Sequence, residues 1–174
     1  MKNPHFPIIL HALGVLPLRK EHSPAQQFCE FVVVDTPSVL NEHVVSMVER
    51  SDEVVLVSTA ELPSIKNTKL MLQTLRMLNV AQDKLHLVMN GANAGRSKLD
   101  VGEVERMLQL RAACTVPNDI AVTQSVNKGT PVAIDAPRSP VARAFEQLVD
   151  RLVDQGVARG EAPGKRARKL ARVG

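Results

Sequence analysis

The chain has 174 residues, enough for one domain with a sizeable core. Apolar residues make up 44% and charged residues 23%, which excludes wholesale disorder, and the lack of Trp and Tyr beside only four Phe excludes an aromatic stacking platform for single-stranded nucleic acid. The net charge of +4 belongs to the end of the chain: residues 159–174 hold six of the 22 Lys and Arg and one of the 18 acids, leaving 16 basic against 17 acidic groups elsewhere.

Residues 7–18 are fairly apolar, but His11, Gly14 and Pro17 interrupt them and no small-residue cleavage site follows, so the stretch does not read as a signal peptide. No run approaches the roughly 20 apolar residues of a membrane span, and the expectation is a cytoplasmic protein. Cys29 and Cys114 sit in apolar stretches without metal-ligand spacing and read as small buried hydrophobes in a reducing compartment. The five histidines also lack metal spacing.

Residues 1–27, with four prolines, three histidines and no sustained period, read as an irregular lead-in. An alternation follows. Phe31-Val32-Val33-Val34-Asp35 is an apolar run ending in an acid, the pattern of a parallel strand buried on both faces. Asn41 can cap a helix with Val44, Val45 and Val48 inward. Residues 53–59 form the next strand. Ser64 caps a helix to about Leu78 with Ile65, Met71, Leu72, Leu75 and Leu78 inward, and residues 84–90 form a third strand. After the turn-rich stretch 90–95, Asp100 and Glu103 have the spacing of a capping box for a helix to about Gln109. Residues 112–116 suit a short strand and 119–127 a short helix stopped near Gly129. Ser139-Pro140 starts a final helix with the stripe Val141, Phe145, Leu148, Val149 and Leu152, which Gly156 is expected to end. This order predicts an α/β fold with a doubly wound, mostly parallel sheet and helices on both faces. Ligands of such sheets bind beyond the carboxyl ends of the strands.

Asp35 at the end of a buried run is costly unless paired or metal-linked, and an acid capping the next loop would leave the same trace. The blocks Val34-Asp35-Thr36-Pro37-Ser38, Glu61-Leu62-Pro63-Ser64, Leu87-Val88-Met89-Asn90, Pro117-Asn118-Asp119, Asn127-Lys128-Gly129-Thr130-Pro131 and Ala136-Pro137-Arg138-Ser139-Pro140, in this order, resemble the C-terminal part of the MinD/ParA superfamily of deviant Walker ATPases. Within it the chain looks most like the CpaE/TadZ branch of Flp/Tad pilus assembly, over residues 30–154. The resemblance implies ATP and Mg²⁺ as ligands. It gives Asp35 the Walker B place on the catalytic and Mg²⁺ side, Asn90 a place facing the adenine, and Pro117, Asn118 and Asp119 the loop along the base. A turn-former before Gly91 is the alternative role for Asn90.

The sequence departs from that family in one decisive respect. The phosphate loop, Lys-Gly-Gly-x-Gly-Lys-Thr, is absent, and the one Gly-Lys pair, Gly164-Lys165, is followed by Arg166. Without an amide nest and signature lysine the β- and γ-phosphates lose their main charge neutralisation. The expected organisation is a lead-in at 1–27, a MinD/ParA-like domain at 28–156 lacking the first strand and phosphate loop, and a basic disordered tail at 157–174. The expected function is pilus assembly or polar positioning with nucleotide binding lost or weak, and with protein partners and self-association as the output. A cytoplasmic place includes a polar or membrane-peripheral one, with the tail between Arg159 and Arg172 able to meet anionic membrane or nucleic acid. Two alternatives stay open: the C-terminal part of an active ATPase whose phosphate loop is encoded upstream, and a DNA-associated partition protein.

Overall fold

A computed structural model describes residues 12–17, 31–37, 40–91 and 99–158, so the expectations for the remaining lead-in, for Cys29, for residues 92–98 and for the tail at 159–174 lie outside the described residues. The elements are β1 (Ala12–Pro17), β2 (Phe31–Asp35), α1 (Glu42–Arg50), β3 (Glu53–Ser58), α2 (Leu62–Met77), a 3-10 turn (Gln82–Lys84), β4 (Leu85–Asn90), α3 (Val101–Leu108), β5 (Ala112–Val116), α4 (Ile120–Lys128), α5 (Val132–Asp135) and α6 (Pro140–Ala158).

The strands form one sheet in the order β2-β1-β3-β4-β5. β3, β4 and β5 run parallel, whereas β1 is antiparallel to both its neighbours, β2 and β3. β2 therefore points the same way as β3, β4 and β5, and all four carboxyl ends face one edge. The sheet is flanked by helices as predicted, with one difference: a strand inside the expected irregular lead-in occupies a central place and runs against the rest. Pairing of this kind is set by distant partners, and Gly14 and Pro17 hide it from local propensity.

Two apolar layers follow from the two-residue period of the strands. Val54, Leu56, Leu85, Leu87 and Met89 meet Val44 and Val48 of α1, Ile65, Leu72 and Leu75 of α2, and Val104 and Leu108 of α3. Val55, Val88, Cys114 and Val116 meet Val141 and Ala144 of α6, with Val122 of α4 and Val132 of α5 beside them. The β4–β5 register shifts between Leu87 and Val88 of β4, so Leu87 pairs with Ala112 and Val88 with Cys114. The bulge at Ala113 moves Ala112 into the first layer while Cys114 stays in the second. Phe31–Asp35 was expected to be buried on both faces. Val33 is instead 58% exposed, because β2 is the edge of the sheet.

Local chemistry fixes the helix ends. Asn41 Oδ1 accepts from the Val44 amide at 3.0 Å, and Asp100 and Glu103 make both halves of the capping box. Gly129 closes α4 at φ +66°, a left-handed conformation that favours glycine. Ser64 does not cap α2: Glu61 holds that place, and Ser64 lies inside the first turn. Gly156 does not stop α6, which continues to Ala158.

The starts of β3 and β4 carry a buried polar pair. His86 Nε2 and Glu53 Oε2 are 2.5 Å apart, and both side chains are 4% exposed. At the outer edge of β5, side chains cap the backbone: Arg151 donates to the Ala113 carbonyl at 2.8 Å, and Glu105 accepts from the Ala112 amide at 2.7 Å. Such capping blunts an edge that would otherwise pair with another chain.

Candidate functional site

The carboxyl edge is where a fold of this type gathers ligand-binding groups. Asn90, the last residue of β4, pairs with Val116, the last residue of β5, and the Gly91 amide donates to the Val116 carbonyl at 2.9 Å. Asn90 is exposed, and Pro117 directly follows its pairing partner. Two sequence-predicted groups far apart in the chain thus stand side by side, because successive crossovers return each strand end to the same edge. Gly91, at φ +67°, turns the chain away from the edge, and a side chain there would meet no neighbour within 4 Å.

In the loop after β5, Asn118 is exposed and Pro117 half-buried. Asp119 is committed elsewhere: its Oδ1 accepts from the Ala121 amide at 2.9 Å, which makes it the N-cap of α4. The next helix pair is locked by a polar staple. Asp135 Oδ2 accepts from Ser125 Oγ at 2.9 Å, and both carboxylate oxygens lie 2.9 Å from Lys128 Nζ. The Lys128 and Ser125 hydrogen bonds hold the Asp135 carboxyl below its ordinary range.

Asp35 ends a strand that points toward this edge but stops short of it. It pairs with Leu13, which pairs with Val55, which pairs with His86, so Asp35 shares a row with a residue four places before Asn90. Three strand spacings across and four residues along amount to a separation on the order of 20 Å. The strand between Asp35 and β3 is β1, which leaves toward the opposite edge. A phosphate chain with Mg²⁺ needs a strand-exit loop between β2 and β3 at this edge, and β1 supplies none among the described residues. Among the described residues no group of three or more His, Cys, Asp or Glu is placed to hold a metal.

The sequence reading missed a hydroxyl cluster at the end of β3. Ser58 Oγ lies 3.0 Å from Ser64 Oγ and accepts from Thr68 Oγ1 at 2.9 Å, while Ser64 Oγ accepts from the Thr59 amide at 3.0 Å. Ser58 and Thr68 are fully buried. The cluster fastens the exit of β3 to α2. The signal was present in Ser64 and Thr68, four apart on one helix face.

Comparison with known proteins bears on the fold. No protein-family model matches the chain. It is 27% identical, over 78% of its length and 40% of the relative's, to the chloroplastic MinD homologue, a septum site-determining protein of Arabidopsis thaliana. Among solved structures it is similar to a ParA family ATPase from Chlorobium tepidum, with 22% identity, a TM-score of 0.61, and 69% of this chain and 49% of that one covered. It is also similar to MinD of Pyrococcus horikoshii in complex with Mg-ADP, with 18% identity, a TM-score of 0.61, and 75% and 52% covered. The chain spans less than half the length of the curated relatives it matches. The α/β fold is that of these neighbours, and in sequence the chain is similar, at modest identity, to MinD proteins. Among the described residues no helix is long and apolar enough to cross a membrane.

Proposed function

We propose that the chain is a MinD/ParA-like protein of the CpaE/TadZ kind whose output is protein association in pilus assembly or polar positioning, with nucleotide binding weak or lost. The observation that carries the nucleotide half is the direction of β1. It fills the place between β2 and β3 and runs away from the edge that holds Asn90 and Pro117, so among the described residues it supplies no strand-exit loop on that side. Asn90 and Pro117, with Asn118, form the residual base platform. Asp35 is a vestigial Walker B acid without a phosphate-bound Mg²⁺ to serve, and Asp119 acts through its helix cap. The Asp-Thr-Pro, Glu-Leu-Pro-Ser and Ala-Pro-Arg-Ser-Pro blocks support the pilus branch.

The second reading is the C-terminal part of an active ATPase, with ATP and Mg²⁺ held by a phosphate loop encoded upstream. The short span of the relatives that the chain covers favours it. The upstream reading frame separates the two: a Lys-Gly-Gly-x-Gly-Lys-Thr there, with hydrolysis by the extended chain that disappears in Asp35→Ala, establishes the second, whereas an extended chain that carries the motif and turns over only at background contradicts it. A fluorescent fusion tests the cellular half: foci at the pole that depend on the pilus machinery are expected, and uniform fluorescence contradicts it.

A further inference from the structure

Of the chain's eight asparagines, Asn90 alone is followed by glycine. That pair is the one most open to a spontaneous reaction, because a glycine has no side chain to obstruct the approach of its backbone nitrogen to the asparagine carboxamide. The Gly91 nitrogen attacks Asn90 Cγ. An N–Cγ bond forms, the Cγ–Nδ2 bond breaks, the amide proton leaves to solvent, and Nδ2 departs as ammonia. Water then opens the cyclic imide at either of its two carbonyls, which leaves aspartate or isoaspartate at position 90.

The fold presents this pair and also restrains it. Asn90 is exposed at the end of β4, and a side chain at Gly91 would meet nothing within 4 Å, so the space around the pair is open. The restraint comes from the backbone. Asn90 is the last residue of a strand, paired with Val116, and the Gly91 amide donates to the Val116 carbonyl at 2.9 Å. In an extended residue the next backbone nitrogen is turned away from the side chain. Ring closure needs a large rotation about the Asn90 Cα–C bond, and that rotation carries the Gly91 N–H off the Val116 carbonyl. The hydrogen bond is a latch, and the reaction runs only while the exit of β4 and β5 is open.

We propose that Asn90-Gly91 is a deamidation site gated by this latch, through which the carboxyl edge of the sheet gains a negative charge as the chain ages. A carboxamide donates and accepts, whereas the carboxylate that replaces it only accepts. Isoaspartate also adds a methylene to the main chain where β4 hands over to Gly91, so the latch does not re-form in register. No step restores the ammonia, and the change runs one way. Asn118 is exposed beside the same edge but precedes Asp119, whose side chain crowds the attacking nitrogen, and it serves as the internal reference. A loss of base binding after conversion would rest on the function proposed above; the modification itself does not.

Peptide mass mapping of the full chain, aged in mildly alkaline buffer with and without urea, tests it. Conversion is expected at position 90 ahead of Asn118, at least about tenfold faster in urea, and absent in Asn90→Gln. Val116→Ala keeps the accepting carbonyl but removes buried packing beside it, and should speed folded-state conversion at least about threefold while leaving the rate in urea unchanged. Val48→Ala opens a like cavity in the other layer, under α1, and should leave the folded rate near that of the parent. Far-UV circular dichroism reports that each variant folds. In the unaltered chain, protection of the Gly91 amide against hydrogen exchange should match the slowing of conversion by folding to within about threefold. Conversion as fast in the folded chain as in urea overturns the proposal. So does conversion no faster than at Asn118, an equal effect of Val48→Ala and Val116→Ala, or a Gly91 amide that exchanges without protection.

Discussion

Removing His86 while keeping Glu53 tests how the start of the sheet is held. The two groups meet at 2.5 Å with both side chains 4% exposed, on the adjacent parallel strands β3 and β4. In His86→Leu the carboxylate stays buried without its imidazole, and breaking a buried pair from one side costs about 3–5 kcal/mol. For a chain of 174 residues that corresponds to a fall in Tm of roughly 6–20 °C. The double variant Glu53→Leu/His86→Leu removes both polar groups at once and fills the space with apolar volume, so it should recover most of the loss. Urea unfolding of the four members of the cycle gives the coupling directly. A His86→Leu loss below about 1 kcal/mol would refute the reasoning, since the carboxylate would then be at little cost without its imidazole. A double variant no more stable than the single one would also refute it.

Burial raises the Cys114 thiol above its ordinary range, only partly offset by Arg151, so in a Cys29→Ser background it should resist iodoacetamide until the chain unfolds. The raised value gives stability that is full below the unfolded thiol's value and is lost as pH rises through the folded one; Cys114→Ala should flatten stability above about pH 8.5. For Asp135 the sign reverses: its carboxyl is depressed by Lys128 and Ser125, so its contribution is present above the unfolded value near 3.9 and is lost as pH falls through the folded one. Asp135→Asn should remove part of the acid sensitivity below about pH 4 in a pH-dependent thermal melt. Deletion of residues 159–174, which removes a net charge of +5, should abolish retention on an anionic matrix and leave the thermal transition nearly unchanged; undiminished retention would place a basic patch on the body.

The parts of the fold legible in the sequence are those fixed by neighbours along the chain. The Asp100–Glu103 box, the Asn41 cap and the Gly129 stop each rest on hydrogen bonds within one turn, and each is where its residues predict. The apolar runs of β3 and β4 needed no distant information either. β1 was illegible for the opposite reason: its place depends on pairing with β2 and β3, and Gly14 and Pro17 argue locally against a central strand. The bulge at Ala113 leaves no trace in Ala112-Ala113-Cys114, and the exposure of Val33 depends on which strand is the edge. At the site, the nearness of Asn90 to Pro117 followed from the winding of parallel strands. The commitment of Asp119 to its helix and the distance of Asp35 did not, because both depend on geometry that spacing alone cannot encode.

Calorimetric titration of the full chain with Mg-ATP tests the central claim most directly. With Asn90 and Pro117 as the proposed base platform, the expected result is no resolved heat or a Kd around millimolar, roughly −4 kcal/mol. Whatever weak binding is seen should fall in Asn90→Ala and be indifferent to Asp35→Ala. A micromolar Kd that depends on both Mg²⁺ and Asp35 would contradict the account, because it would require an intact phosphate site at the edge from which β1 turns away.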